Sequence, residues 1–97
     1  MEKLSTRNRT RKIVEKYGFD FRKRFGQNFL VDEQVILRML DAAQVGKDDI
    51  ILEIGPGIGT LTQYLSEAAG HVTAIEIDRN LIPILQETLE GYDNVNV

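Results

Sequence analysis

A nearly unbroken apolar run, Asp49 to Ile54 (DIILEI), stops at Gly55-Pro56-Gly57-Ile58-Gly59 and gives way to a helical pattern. This junction constrains the fold more than any other part of the 97-residue chain. Ile50, Ile51, Leu52 and Ile54 read as a strand covered on both faces. Glycine is costly to order and is kept where the backbone needs positive φ or where something must lie very close to it. A strand that breaks into glycines and enters a helix aims free backbone N–H groups at whatever sits above the strand end. Three glycines at alternate positions exceed what a tight strand-to-helix connection requires, so the turn reads as a ligand platform.

The flanking pattern extends this unit. After the turn, Ile58 to Ala69 reads as a helix with Ile58, Leu61, Leu65 and Ala68 on its buried side. His71 to Ile77 (HVTAIEI) is a second strand, a second helix begins near Asn80, and Pro83 fits within its first turn, where no amide partner is lost. NVNV after Gly91 opens a third strand. Upstream, Ser5 to Tyr17 predicts a short helix capped by Ser5 and stopped by Gly18. Asp32 caps another, running to about Gln44 and ended by Gly46, with Val35, Ile36, Met39, Leu40 and Ala43 at helical spacing. Strand, glycine turn, helix, strand, helix, strand is the opening of a doubly wound parallel α/β sheet. Two strands and a stub do not complete one, so the chain is expected to be a fragment of a longer protein, with residues 1–31 a basic arm and loop and 32–97 the first part of a Rossmann-like domain.

Charge separates the same two regions. Residues 1–26 hold nine Lys/Arg against three acids, while residues 27–97 carry a net charge of −9. A basic arm on an acidic body suggests contact with a polyanion such as nucleic acid, or a solvated helix that balances the body. No apolar stretch approaches the roughly 18 residues that span a bilayer, and the N-terminus lacks the apolar core of a secretory signal, so no membrane is expected. The absence of cysteine excludes disulfides and thiolate metal sites and fits a cytoplasmic location. With His71 the sole histidine, no metal is expected.

The dinucleotide fingerprint G-x-G-x-x-G needs a third glycine where this chain has Thr60. The run Glu53-x-Gly55-x-Gly57-x-Gly59 instead matches E-x-G-x-G-x-G, the signature of class I S-adenosylmethionine-dependent methyltransferases. A carboxylate at Glu53 suits the cationic groups of that cofactor and would repel a pyrophosphate. Glu76, 21 residues after Gly55, sits where an acid accepts hydrogen bonds from two ribose hydroxyls in either cofactor. Asp78, two residues on, reads as a helix cap.

At RFGQNFLVD (Arg24–Asp32), ILEIGPGIGTLT (Ile51–Thr62) and VTAIEIDRNLIPIL (Val72–Leu85) the sequence closely resembles the bacterial small-subunit rRNA adenine N6,N6-dimethyltransferases. The resemblance runs over essentially all 97 residues and covers about the first third of a family member. EIGPG is shared with large-subunit rRNA adenine methyltransferases of the macrolide-resistance type, whereas RFGQNFL with NLIPIL favours the small-subunit branch. The resemblance implies that Asn28 and Leu30, with Gln27 beside them, contact the methionine end of S-adenosylmethionine. It also implies that Gly55 lies against the cofactor and that Glu76 holds its ribose, with Gly57 and Glu53 of the E-x-G-x-G-x-G run as further cofactor-binding candidates. Read without the resemblance, Gln27 and Asn28 are amides capping a loop while Phe25, Phe29 and Leu30 fill the core.

The implied reaction transfers a methyl from a sulfonium to the exocyclic amine of adenine, a poor nucleophile whose lone pair is delocalised into the ring. The family grips the flipped-out base through an Asn-Leu-Pro-Tyr-type motif after the fourth strand, which these 97 residues do not contain. No catalytic residue is therefore assigned, and the polypeptide alone is expected to be inactive. Arg22, Lys23 and Arg24, next to the cofactor loop, are candidates for phosphate contacts to small-subunit rRNA within the small ribosomal subunit. The parent enzyme is expected to be a monomer. Two other classes stay open from the residues: a catalytically silent RNA- or ribosome-binding homologue, and a nicotinamide-dependent oxidoreductase with an unusual turn.

Overall fold

The computed structural model describes residues 3–4, 6–18 and 32–97. Its elements in chain order are α1 (Arg7–Tyr17), α2 (Glu33–Ala42), β1 (Ile50–Ile54), α3 (Thr60–Ala68), β2 (His71–Ile75), a 3-10 turn (Arg79–Leu81), α4 (Ile82–Thr88) and β3 (Val95–Asn96).

Local chemistry sets the element ends. Thr6, extended, caps α1: its hydroxyl accepts from the Arg9 N–H at 3.2 Å, so the cap falls one residue past the expected Ser5, which lies outside the described residues. Gly18 closes the helix in the left-handed region, its N–H donating to the Val14 carbonyl. Asp32 caps α2 as expected, through a 2.9 Å bond from the Gln34 N–H. That helix stops at Ala42, and the left-handed turn after it is made by Gln44 (φ 55°) rather than by Gly46. The Gly46 N–H instead donates to the Asp49 carboxylate at 2.7 Å, shaping the turn into β1. Helix α3 begins at Thr60, two residues later than the pattern suggests, because Gly59 is its left-handed N-cap. Pro83 lies in the first turn of α4, as anticipated.

The three strands form a parallel sheet in the order β1-β2-β3, with Ile51 opposite Val72, Glu53 opposite Ala74 and Val72 opposite Val95. Each crossover moves the chain one place in the same direction. Right-handed crossovers then put α3 and α4 on one side of the sheet. On that side Ile51, Val72 and Val95 pack with Leu40, Val45, Leu61, Leu65 and Ala69. Among the described residues nothing covers the other side: Ile50, Leu52 and Ile54 of β1, and Ile77 just past β2, are 79%, 61%, 70% and 77% exposed. The apolar run of β1 is therefore covered on one face, and not on both as its sequence suggests, because doubly wound coverage needs strands that turn back past β1.

A second apolar cluster joins the N-terminal segment to this layer. Leu4 and Ile13 are fully buried against Ile58 of the glycine turn, Leu81 of the 3-10 turn and Ile84 of α4, with Val14 and Tyr17 packed around them. Burial at this scale, about 2 kcal/mol for each large aliphatic side chain, makes α1 part of the packed body. Gln63, fully buried, completes the joint: its carbonyl accepts from the Leu4 N–H at 3.0 Å and its amide donates to the Thr88 carbonyl at 2.8 Å.

Candidate functional site

The glycine turn leaves the C-terminal end of β1 with all three glycines at positive φ: 69° at Gly55, 62° at Gly57 and 97° at Gly59. Two of them answer different demands. A Cβ on Gly59 would lie 3.0 Å from the Thr88 hydroxyl and 3.3 Å from methyls of Leu85 and Leu89, so this glycine lets the start of α3 press against α4. A Cβ on Gly55 would meet nothing within 4 Å. Gly55 is exposed, and no internal packing accounts for its missing side chain. The turn is also less rich in free donors than expected. The Gly55 N–H is held by the Ile75 carbonyl at 2.8 Å and the Gly59 N–H by the Pro56 carbonyl at 3.0 Å. What Gly55 offers is a bare Cα surface rather than an unspent amide.

The bond from Gly55 to Ile75 ties the turn to the end of β2, one residue before Glu76. One Glu76 carboxylate oxygen accepts the Asp78 N–H at 3.0 Å. The other, Oε1, is buried and has no partner among the described residues. An unsatisfied buried acceptor is costly and calls for a partner such as a ligand group or a water. Asp78 accepts from the Asn80 N–H at 2.9 Å and so caps the 3-10 turn, as its spacing predicts.

Glu53 lies on the helix-covered face of β1, largely out of solvent. Its partner is the Thr62 hydroxyl, which donates to Oε1 from the first turn of α3. Burial raises the Glu53 carboxyl above its ordinary pKa, and the Thr62 hydrogen bond opposes that rise. Thr62 and Gln63 were not among the sequence candidates. The signal that would have found them is a polar pair inside an otherwise apolar helical face.

Glu53, Gly55, Gly57 and Glu76 thus come together at the C-terminal ends of two adjacent parallel strands, where ligands bind in open α/β sheets. Gln27, Asn28, Leu30, Arg22, Lys23 and Arg24 lie outside the described residues. Of the remaining arm, Lys3 pairs with Glu67, and Arg9 and Lys16 both pair with Glu87, which also accepts the Tyr17 hydroxyl at 2.9 Å. These bases bind the arm to the body. Arg11 and Lys12 are exposed and make no ion pair among the described residues. Among the described residues no cluster of His, Cys, Asp or Glu suits a metal, and no helix is long and apolar enough to cross a membrane.

The residues present fit an adenosine-bearing cation: an unpartnered buried acceptor for a ribose hydroxyl, a bare glycine for close approach, and a carboxylate for positive charge. The profile of the family described as ribosomal RNA adenine dimethylase matches residues 18–97. The whole chain aligns with proteins named ribosomal RNA small subunit methyltransferase A, at 55% identity in Alkaliphilus metalliredigens and 54% in Bacillus cytotoxicus. It covers 34% and 33% of their lengths, so it spans about a third of these relatives. Among solved structures, the 23S rRNA methyltransferase ErmE matches with TM-score 0.66 and 43% identity, over 72% of this chain and 29% of that one. A dimethyladenosine transferase from Plasmodium falciparum matches with TM-score 0.61 and 37% identity, over 68% of this chain and 25% of that one. The three parallel strands and their helices are accordingly one wing of a Rossmann-like methyltransferase sheet. The chain belongs to the ribosomal RNA adenine dimethylase family.

Proposed function

We propose that this chain carries the cofactor platform of an S-adenosylmethionine-dependent enzyme that dimethylates N6 of adenines in small-subunit ribosomal RNA during ribosome assembly in the cytoplasm. The observation that carries the reading is the pairing of a bare Gly55 with the unpartnered, buried Glu76 Oε1 across the ends of β1 and β2. Identity supports the small-subunit branch: 53–55% to the small-subunit relatives over the whole chain, against 43% to ErmE over 72% of it.

S-adenosylmethionine, when bound, supplies an activated methyl on a sulfonium. The chain's own residues hold and orient. Glu76 Oε1 accepts a ribose hydroxyl and so satisfies its open lone pairs. Gly55 lets the methionine portion lie on the main chain, with Gly57 beside it. Glu53 offsets positive charge from within a low-dielectric layer, where a carboxylate acts more strongly than in water. Asn28 and Leu30, with Gln27, close the methionine end. Fixing the methyl in line with the incoming amine is the main catalytic service such a platform performs. Arg22, Lys23 and Arg24 hold rRNA phosphates near the cofactor loop, and reversal of all three charges lowers RNA affinity and flattens its salt dependence by about three charges.

Calorimetry on the chain tests the platform directly. S-adenosylhomocysteine binds and NAD does not. Preference for NAD, or binding unaffected by Glu76→Ala, overturns the reading. Incubated with labelled S-adenosylmethionine and small-subunit rRNA, the 97-residue polypeptide transfers no label, because the groups that grip the adenine are not among its residues.

A further inference from the structure

The function proposed above leaves one buried contact without a purpose. Thr62 is fully buried, and its hydroxyl donates to Glu53 Oε1. No Lys or Arg among the described residues pairs with that carboxylate. Opposite Glu53 on β2 stands Ala74, which has no side-chain donor. A carboxylate drawn largely out of water with one hydroxyl as its support is an expensive arrangement for a scaffold. A hydrophobic pair of the same shape would pack this position at lower cost, so the two polar groups point to a ligand-facing task.

We propose that Thr62 is a positioning residue: its hydroxyl fixes the Glu53 carboxylate beneath the glycine turn, oriented toward the cationic end of bound S-adenosylmethionine. The inference rests on the cofactor reading. Thr62 suits the role because it stands on the first turn of α3, directly after the Gly59 cap, so the turn and the carboxylate share one rigid support. A β-branched side chain in a helix has few rotamers, which fixes the hydroxyl. The hydrogen bond also favours the ionised carboxylate, the form a cation needs, against the opposing effect of burial. From β2 the facing residue is Ala74 and from α3 it is Thr62. The other acids at this end of the sheet among the described residues are Glu76 and Asp78, both past the end of β2.

The test is S-adenosylhomocysteine affinity as a function of pH for the 97-residue chain and for Thr62→Val, Thr62→Ser and Glu53→Gln. The native chain binds at neutral pH and weakens as acid protonates Glu53. In Thr62→Val the weakening begins at higher pH, with affinity about tenfold below the native chain at mildly acidic pH. Thr62→Ser restores the native profile, and Glu53→Gln removes the pH dependence that separates the two Thr62 variants. If Thr62→Val does not fold, Thr62→Ala against Thr62→Ser poses the same question, since both lose the methyl and only one loses the hydroxyl. A native-like profile in the variant lacking the hydroxyl overturns the proposal while leaving the cofactor reading intact. No binding by the native chain at any pH overturns both.

Discussion

Alanine at Gly55 and alanine at Gly59 are expected to fail in different ways. Both force a Cβ into the left-handed region, at about 1 to 2 kcal/mol each. At Gly59 the new methyl also presses on Thr88, Leu85 and Leu89, so denaturant unfolding should register a loss of about 3 kcal/mol. At Gly55 the methyl meets only solvent, so stability falls by the backbone cost alone while S-adenosylhomocysteine affinity drops tenfold or more by calorimetry. The acids are also predicted to part company under titration. Glu53 is raised by burial and binds its proton more tightly folded than unfolded, so acidification through that range stabilises the ligand-free fold. Glu87 is lowered, first by its bond from Lys16 and then by Tyr17, so its contribution is present above the unfolded value and is lost as pH falls through the folded one. Glu53→Gln should therefore stabilise the ligand-free chain at neutral pH, and Glu87→Gln should abolish the acid-induced loosening of α1, both readable by thermal melts across pH. Glu53 and Glu76 were singled out from spacing alone. Thr62 was not, because only the fold brings residue 62 under residue 53.

Among the elements, α3 departs furthest from its sequence pattern. Apolar periodicity marks Ile58, Leu61, Leu65 and Ala68 as its inner side, yet Leu61 and Ala68 are only half-buried while Thr60, Thr62, Gln63, Tyr64 and Ser66 are buried. The helix is enclosed on several sides: β2 beneath it, α2 alongside, Leu4 bonded to Gln63, and Thr88 beyond. A periodic pattern records one buried face and is silent when polar side chains are enclosed and hydrogen-bonded. The type and order of the helices and strands from α2 to β3 were legible, since each carries its own cap, stop or apolar run, but the 3-10 turn Arg79–Leu81 that precedes α4 reads in the sequence as part of one helix. Element ends shifted by a residue or two: at α1 and α2 Thr6 and Gln44 took the conformations expected of Ser5 and Gly46, α3 starts after its Gly59 cap, and β2 ends at Ile75 rather than Ile77. Gln63 gives the prediction at this scale. Gln63→Leu leaves the Leu4 N–H and the Thr88 carbonyl unpaired in the interior, which should cost about 2 to 3 kcal/mol. Hydrogen exchange should show α1 losing protection first, with Ile58 and Gly59 following, because Leu4 and Ile13 pack on the glycine turn.

The whole molecule winds in one direction only. Strand order β1-β2-β3 keeps α3 and α4 on a single side and leaves Ile50, Leu52, Ile54 and Ile77 facing outward. An apolar patch of this kind is unusual on a monomeric soluble protein. The 97-residue polypeptide is therefore expected to self-associate at micromolar concentration, and Leu52→Lys with Ile54→Lys should return it to a monomer in analytical ultracentrifugation. Unchanged sedimentation would show that the exposed side is not the cause. The parallel α/β class was legible in the alternation of strands and helices. The bare side was not, since a run such as IILEI looks the same whether one or both of its sides find cover. The bare side also bears on biosynthesis. Translation at about 5 to 20 residues per second presents such a half-dressed sheet for several seconds whenever more chain must follow to clothe it. During that interval a chaperone that clasps greasy β-surface would have an obvious client, and cells short of such a holdase should accumulate insoluble nascent polypeptide.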